Sequence, residues 1–136
     1  MFNVKEAFTD IANKIKAIMT RLNSEADYIV ATGTSGIWRY EKWNSGKAVL
    51  YGVYTLTNGP FSATGNVYYR TVTDLSFPTG FFNTTPYYVS GTTSMGNVGA
   101  FSGNALYQTK VSFAVLSAVS AARTVTVYLE VRGTWK

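Results

Sequence analysis

The chain has 136 residues, about one domain, and carries 12 Lys and Arg against 7 Asp and Glu, for a formal net charge of +5. It contains no His and no Cys, which excludes a Cys/His zinc site, a disulfide framework and nucleophilic catalysis by a Ser-His-Asp or Cys-His arrangement. Hydrophobic residues make up 46% of the chain and aromatic residues 15%, so any functional argument depends on how these residues are arranged.

The first segment, from Asn3 to about Asn23, has the apolar spacing of a heptad helix. Six strong apolar residues follow one another at intervals of 4, 3, 4, 3 and 4: Val4, Phe8, Ile11, Ile15, Ile18 and Leu22. Because Ile occupies both layers of this seam, we predict that residues 1–23 form a trimeric coiled coil through these six residues. About three heptads are marginal alone, so the association needs support from the domain that follows. The alternative is an ordinary helix packed on its own domain.

After Asn23 the apolar period changes from helical to alternating, and charge thins from 6 of the first 22 residues to 13 of the remaining 114. Segments rich in Val, Tyr, Thr and Trp predict an antiparallel β-sandwich or jelly-roll head domain over residues 24–136. The segment from Trp43 to Lys47 predicts a tight hairpin with Gly46 at positive φ. The predicted strands are 28–32, 37–43, 47–57, 67–75, 87–90, 106–116 and 124–135.

The head domain is rich in aromatic residues. Of the 3 Trp, 10 Tyr and 8 Phe, 19 lie after residue 23, which is more than a domain of this size easily buries. They could line a large interface between copies of the chain. They could also form a ligand surface in three predicted loops, 58–66, 76–86 and 92–104, where ring faces would contact sugars. The candidate glycan-binding residues are Phe61, Phe81, Phe82, Tyr87, Tyr88 and Phe101.

Two other functions are compatible with the composition but have weaker support. Glycoside hydrolysis needs two carboxyl groups, and Glu41, Asp74 and Glu130 are the candidates; Glu41 beside Lys42, and Glu130 on a strand face with Arg132, also fit surface ion pairs. Single-strand nucleic-acid binding would use aromatic and basic residues together, but the eight basic residues after Asn23 are scattered. We therefore predict a non-enzymatic protein with no catalytic residues, cofactor, metal or nucleic-acid partner.

Two segments resemble structural proteins of tailed phages. The stretch from Asp27 to Gly46 reads DYIVATGTSGIWRYEKWNSG and is similar to the opening of a small β-domain at the end of tail-fibre, baseplate and head-fibre chains. The last five residues, Arg132 to Lys136, look like the GRWK-type termini of the same group, with Thr134 as an insertion.

The resemblance implies a homotrimeric virion appendage, made in the host cytoplasm and placed on the virion surface. Its helix would contact another virion protein, and its head would bind a bacterial surface polysaccharide or wall polymer without inserting into a membrane. A charge of +5 on each chain would assist approach to anionic polymers. The alternative is a virion decoration protein whose only partners are other virion proteins.

Overall fold

The computed structural model describes residues 3–94 and 100–136. It begins with a single helix, α1 (Val4–Glu25), where the heptad spacing predicts one. Asn3 caps this helix, because its side-chain Oδ1 accepts hydrogen bonds from the backbone N–H groups of Lys5 and Glu6 at 3.1 and 3.3 Å. These are donors that a first helical turn otherwise leaves unpaired. The prediction of an N-terminal helix is confirmed.

In the part of the chain that the structure describes, nine strands follow the helix: β1 (Ile29–Ser35), β2 (Trp38–Trp43), β3 (Lys47–Gly59), β4 (Ser62–Thr64), β5 (Val67–Ser76), β6 (Tyr88–Thr93), β7 (Ala100–Leu106), β8 (Lys110–Ser117) and β9 (Arg123–Thr134). Seven of them correspond to the seven predicted strands. The other two correct the prediction, since β4 and all but the last two residues of β7 lie in segments that we expected to be loops.

The strands pair into two antiparallel sheets. The five-stranded sheet has the order β1-β2-β3-β9-β6, and the four-stranded sheet has the order β4-β5-β8-β7. The long central pair β3–β9 runs from Lys47 opposite Thr134 to Gly59 opposite Arg123. The prediction of a mainly β chain with antiparallel strands is confirmed. The trimeric coil, the sandwich or jelly-roll class and the division into residues 1–23 and 24–136 stay predictions.

Both sheets contribute to one hydrophobic core. In β9 the side chains of Val125, Val127, Leu129 and Val131 are buried, whereas Thr126, Tyr128 and Glu130, which alternate with them, are half-buried or exposed. This is the alternation of a strand with one face on the core. Phe113 of β8 is also fully buried, and each such side chain contributes about 1.5–3 kcal/mol. The core therefore lies within the β-domain and consists of the side chains that the alternation places on the inward-facing sides of the strands.

The segment between β5 and β6 closes one side of this core with aromatic rings. Trp38 contacts Phe77 edge to face at 5.5 Å between ring centroids, and Tyr40 contacts Phe81 at 5.4 Å. Phe82 packs on Phe77 at 5.4 Å and on Phe81 at 4.8 Å. Edge-to-face contacts are favourable beyond the area they bury. This segment is thus a packed part of the core although it lacks regular secondary structure.

The hairpin between β2 and β3 has the predicted form. Gly46 has a φ of +95°, and its N–H donates to the carbonyl of Trp43 at 3.0 Å. The indole N–H of Trp135 donates to the same Trp43 carbonyl at 2.8 Å, and the backbone N–H of Trp135 donates to the Gly46 carbonyl at 2.9 Å. The two segments that resemble phage proteins therefore lie against each other at this hairpin.

Candidate assembly and ligand surfaces

Helix α1 presents its whole apolar seam to solvent in the single chain. The six seam residues are between 53% and 69% exposed, and every described side chain of the helix except Ala7 is exposed. The alternative of a helix packed on its own domain is therefore wrong. A continuous exposed apolar stripe marks a surface that associates with a partner. The six trimerisation residues are all available for that role, which stays a prediction.

The flanks of the seam differ from each other. Ala12 and Met19 extend the apolar stripe on one side, and Met19 is 54% exposed. On the outer surface, Lys14 and Asp10 form an exposed ion pair at 2.9 Å, one helical turn apart. Such pairs add little stability but keep the outer surface polar. The helix therefore has a wide apolar side and a charged side.

The side chain of Asn44, in the β2–β3 turn, joins the helix to the head. Its Nδ2 donates to the carbonyl oxygens of Ala26 at 2.9 Å and Asn23 at 3.4 Å. Its Oδ1 accepts a hydrogen bond from the N–H of Tyr28 at 3.0 Å, and its own N–H donates to the Tyr28 carbonyl at 3.0 Å. We call these contacts the Asn44 joint. They join the β2–β3 turn to the end of α1 and to the segment that leads into β1.

The structure divides the six candidate glycan-binding residues. Phe61, Phe81 and Phe82 are only 6%, 4% and 3% exposed, so their rings belong to the core and offer no free face to a sugar. This corrects the prediction that their loops display them. Tyr87 and Tyr88 are 65% and 42% exposed. The side chain of Phe101 lies outside the described residues.

Tyr87 borders a depression on the outer face of the five-stranded sheet, near the Asn44 joint. The depression has a volume of about 260 Å³ and is lined by Trp43, Lys47, Val49, Tyr51, Tyr87, Glu130 and Arg132. Tyr88 lies directly opposite Arg132 in the sheet, with the guanidinium 5.0 Å from its ring centroid. The sequence analysis did not include Tyr51 among the site residues. The alternation of β9 already indicated that Glu130 and Arg132 face solvent, and Tyr51 of β3 lies directly opposite Glu130.

The electrostatics of this outer face keep Tyr51 neutral and Arg132 charged. Partial burial raises the pKa of Tyr51 above 10.0, the carboxylates of Glu41 and Glu130 raise it further, and Arg132 and Arg39 partly offset them. The hydrogen bond that Arg132 donates to the Glu130 carboxylate raises the pKa of Arg132. The depression thus combines aromatic rings, a phenol hydroxyl, a carboxylate and a guanidinium. Rings with polar groups of both kinds suit a sugar, which has apolar ring faces and hydroxyl edges.

Most basic residues of the head are stacked on aromatic rings. Seven of the eight lie within 6 Å of a ring centroid: Arg39, Lys42, Lys47, Arg70, Lys110, Arg132 and Lys136. Lys42 lies over Phe81 at 4.8 Å and Trp135 at 5.1 Å. These rings lie in separate parts of the head, from Tyr51 and Tyr88 on the five-stranded sheet to Tyr107 in the β7–β8 turn. The absence of a nucleic-acid partner stays a prediction.

The three candidate catalytic carboxylates are ion-paired: Glu41 with Arg39 at 2.8 Å, Asp74 with Lys110 at 2.8 Å, and Glu130 with Arg132. The expected pair of Glu130 with Arg132 is confirmed, whereas Glu41 pairs with Arg39 and not with its neighbour Lys42. Glu41 and Glu130 share the outer face, but β3 lies between their strands, which separates them by about 10 Å of sheet width. Among the described residues, no three carboxylates come together as metal ligands.

Within residues 3–94 and 100–136, α1 lacks the apolar length that a membrane-crossing helix requires.

Two solved structures have a similar fold. The N-truncated R1-type pyocin tail fibre, solved at 1.7 Å resolution, aligns with a TM-score of 0.61 and 17% identical residues, over 86% of this chain and 95% of that one. The R1 pyocin fibre of P. aeruginosa aligns with a TM-score of 0.57 and 16% identity, over 76% of this chain and 28% of that one. No protein-family model and no curated protein matches the sequence. The likeness predicted from the two terminal segments is confirmed at the level of the fold.

Proposed function

We propose that this chain, whose fold is that of a pyocin tail-fibre domain, is a non-enzymatic homotrimeric appendage of a phage-type virion. Helix α1 forms a three-stranded coil and contacts another virion protein, and the β-head binds a glycan on the host surface. The observation that carries the proposal is the heptad seam of α1, from Val4 to Leu22, whose six residues are all more than half exposed, on a head with this fold.

The exposed seam supports a trimer for two physical reasons. First, Ile11, Ile15 and Ile18 place β-branched side chains in both layers, a pattern that favours three or more helices over two. Second, Ala12 and Met19 widen the stripe, and a wider stripe is buried better among three helices than in the narrow seam of a pair. Association would remove from water the residues that the single chain leaves exposed.

Light scattering of the intact protein tests the oligomeric state. We expect a mass near three times 14.9 kDa, and a mass near 14.9 kDa at micromolar concentration would overturn the proposal. The measurement should be repeated over a dilution series, because association depends on concentration.

The depression beside Tyr87 supports a sugar ligand. Tyr87 and Trp43 supply ring surface, and Glu130, Arg132 and the Tyr51 hydroxyl supply hydrogen-bonding groups around it. The remaining members of the predicted glycan-binding set, Tyr87 and Tyr88, both border this part of the head. A net charge of +5 brings the protein toward anionic wall polymers over a Debye length of about 8–10 Å.

Binding to host cell walls tests the ligand. We expect the protein to be retained on intact walls and released when the glycopolymers are stripped; equal retention on both would overturn glycan binding. Tyr87→Ala should lower retention by about tenfold, because a stacked ring and its contacts are worth about 1.4 kcal/mol or more. Tyr107→Ala is the matched control, since Tyr107 is 50% exposed and lies under Lys110 in the β7–β8 turn.

A further inference from the structure

The end of the outer face that lies away from the Asn44 joint carries a second surface. Val53 and Tyr128 face each other across β3 and β9 and are 52% and 50% exposed. Ile37, in the β1–β2 turn, is 37% exposed beside them. We call these three residues the distal patch. Val53 follows Lys47 by six residues, which places it about 20 Å along the strand from the hairpin.

The distal patch differs chemically from the depression beside Tyr87. Its hollow has a volume of about 410 Å³, and its lining is mostly apolar, including the three patch residues and Gly52. The next pair of outward residues, Thr55 and Thr126, is uncharged. A sugar site needs several converging polar groups, whereas an exposed apolar hollow with tyrosines around it is typical of a protein interface.

We propose that the distal patch is covered by a second copy of this chain, an inference that rests on the proposed trimer. Electrostatics favours a copy over an anionic ligand at this place. The whole chain is at +5, but the nearby charges form the balanced pairs Arg39–Glu41 and Glu130–Arg132. Two copies that approach through this neutral face therefore repel each other least.

The shortness of the coil points to the same occupant. A coil of about three heptads is too short to hold a trimer well without help, and contact between heads supplies that help. Tyr51 borders both the distal patch and the depression beside Tyr87, so the neighbouring copy lies at the rim of the sugar site.

Thiol labelling tests the proposal directly, because the chain contains no Cys. Val53→Cys and Thr71→Cys each introduce one thiol on a strand residue that is exposed in the single chain, Thr71 being on the outer side of the four-stranded sheet. Each variant is reacted with a maleimide in its native assembly and in denaturant, and the ratio of the two rates gives its protection. We expect at least about tenfold more protection for Val53→Cys than for Thr71→Cys, because an interface core excludes solvent.

The possible outcomes separate this proposal from the proposed function. If light scattering gives a trimer and both thiols react equally fast, the distal patch is not an interface, whereas the trimer stands. If the protein is monomeric, both proposals fail. If Val53→Cys becomes protected only when wall glycan is added, the occupant is the glycan and the inference is overturned.

A second variant, Tyr128→Lys, should weaken trimerisation at least about tenfold on dilution by placing three like charges in the interface. Unchanged association would contradict the inference.

Discussion

The helix and the head use their apolar residues in opposite ways. In the head, Val125, Val127 and Val131 are fully buried by the chain itself. In α1, Ile11, Ile15 and Ile18 are all more than half exposed, although the heptad spacing of these residues is as regular as the alternation of the valines in β9. Apolar periodicity therefore predicts which residues will be covered, but it does not say whether the cover comes from the same chain or from another.

Breaking the seam of the helix should have the largest effect. Ile15→Asp places an unpaired charge in the proposed coil and should cost about 3 kcal/mol or more for each chain. We expect a monomer by light scattering and a loss of helical circular dichroism, because a 22-residue helix is marginal alone.

The matched control is Asn13→Asp, which adds the same charge on an exposed helix position outside the seam and should leave the mass unchanged. A trimer that persists in Ile15→Asp at micromolar concentration would mean that the heads alone hold the assembly.

A cavity in the core of the head should have a free-energy cost nearly as large as that of the seam substitution. It should lower the stability of the fold, whereas the seam substitution weakens assembly. Phe113 is fully buried and contacts the Tyr54 ring at 6.1 Å. Phe113→Ala should lower the free energy of unfolding by about 3–5 kcal/mol, through lost transfer energy and the space left behind. Denaturant unfolding measures the change. Tyr107→Ala, at an exposed ring, should cost about 0.5 kcal/mol or less; equal losses in the two variants would contradict the assigned core.

The Asn44 joint connects the two regions, and its loss should be moderate and local. Asn44→Ala removes three side-chain hydrogen bonds and should cost about 1–3 kcal/mol, because carbonyl and N–H partners are left to find water. Hydrogen exchange of the Tyr28 amide should accelerate while the trimer mass is unchanged. Ser45→Ala, at the adjacent exposed turn residue, is the control; the same acceleration there would show that the turn, and not the side chain, protects Tyr28.

The smallest expected effect is a dependence on alkaline pH. Folding raises the pKa of Tyr51 above 10.0, so the folded chain keeps the phenol proton where the unfolded chain has lost it. The contribution of Tyr51 to stability is present in full below the pKa that it has in the unfolded chain, and it falls as pH rises through the folded pKa. Lys110, whose pKa is raised mainly by its hydrogen bond with Asp74, gives a loss of the same sign.

Tyr51→Phe isolates the tyrosine contribution. The wild type should lose stability relative to this variant above about pH 10, measured by urea unfolding at fixed protein concentration. Glu41, Glu130, Arg39 and Arg132 surround Tyr51 in the wild type and are unchanged in the variant, so their contributions cancel in the difference. Parallel curves for the two proteins would contradict the raised pKa.

Local patterns predicted much of the fold. The spacing from Val4 to Leu22 located α1, the alternation from Val125 to Val131 located β9, and Gly46 located the hairpin. In each case the determining interactions are close along the chain. Strands β4 and β7 were missed because Ser62–Thr64 is too short to show alternation, and Ala100–Leu106 contains Ser, Gly and Asn, residues with low strand propensity. Both strands form as hairpins with their neighbours β5 and β8, and this pairing does not show in the residue pattern of either segment.

The candidate site was predicted less well, for a related reason. Phe61, Phe81 and Phe82 lie among Gly, Pro and Thr and look like loop residues. Phe81 is nevertheless buried against Tyr40, and Phe82 is buried against Gly133, and both partners are distant in sequence. Tyr87 was predicted, whereas Tyr51 entered the depression only because β3 and β9 pair in one register. A sequence shows which residues alternate together; the register of two strands decides which of them meet.

In an assembled fibre, the Asn44 joint governs stiffness more than strength. Tension between particle and host passes along the covalent backbone through Ala26 and Tyr28 whether or not the hydrogen bonds to Asn44 hold. The bonds instead resist bending, because without them the head would swivel on a short extended segment. In the proposed trimer, three heads held at one angle would reach a flat cell surface together, so that weak individual contacts would combine into durable attachment through a high effective concentration. Under that proposal, the Asn44 side chain would determine whether the three heads bind as one unit or independently.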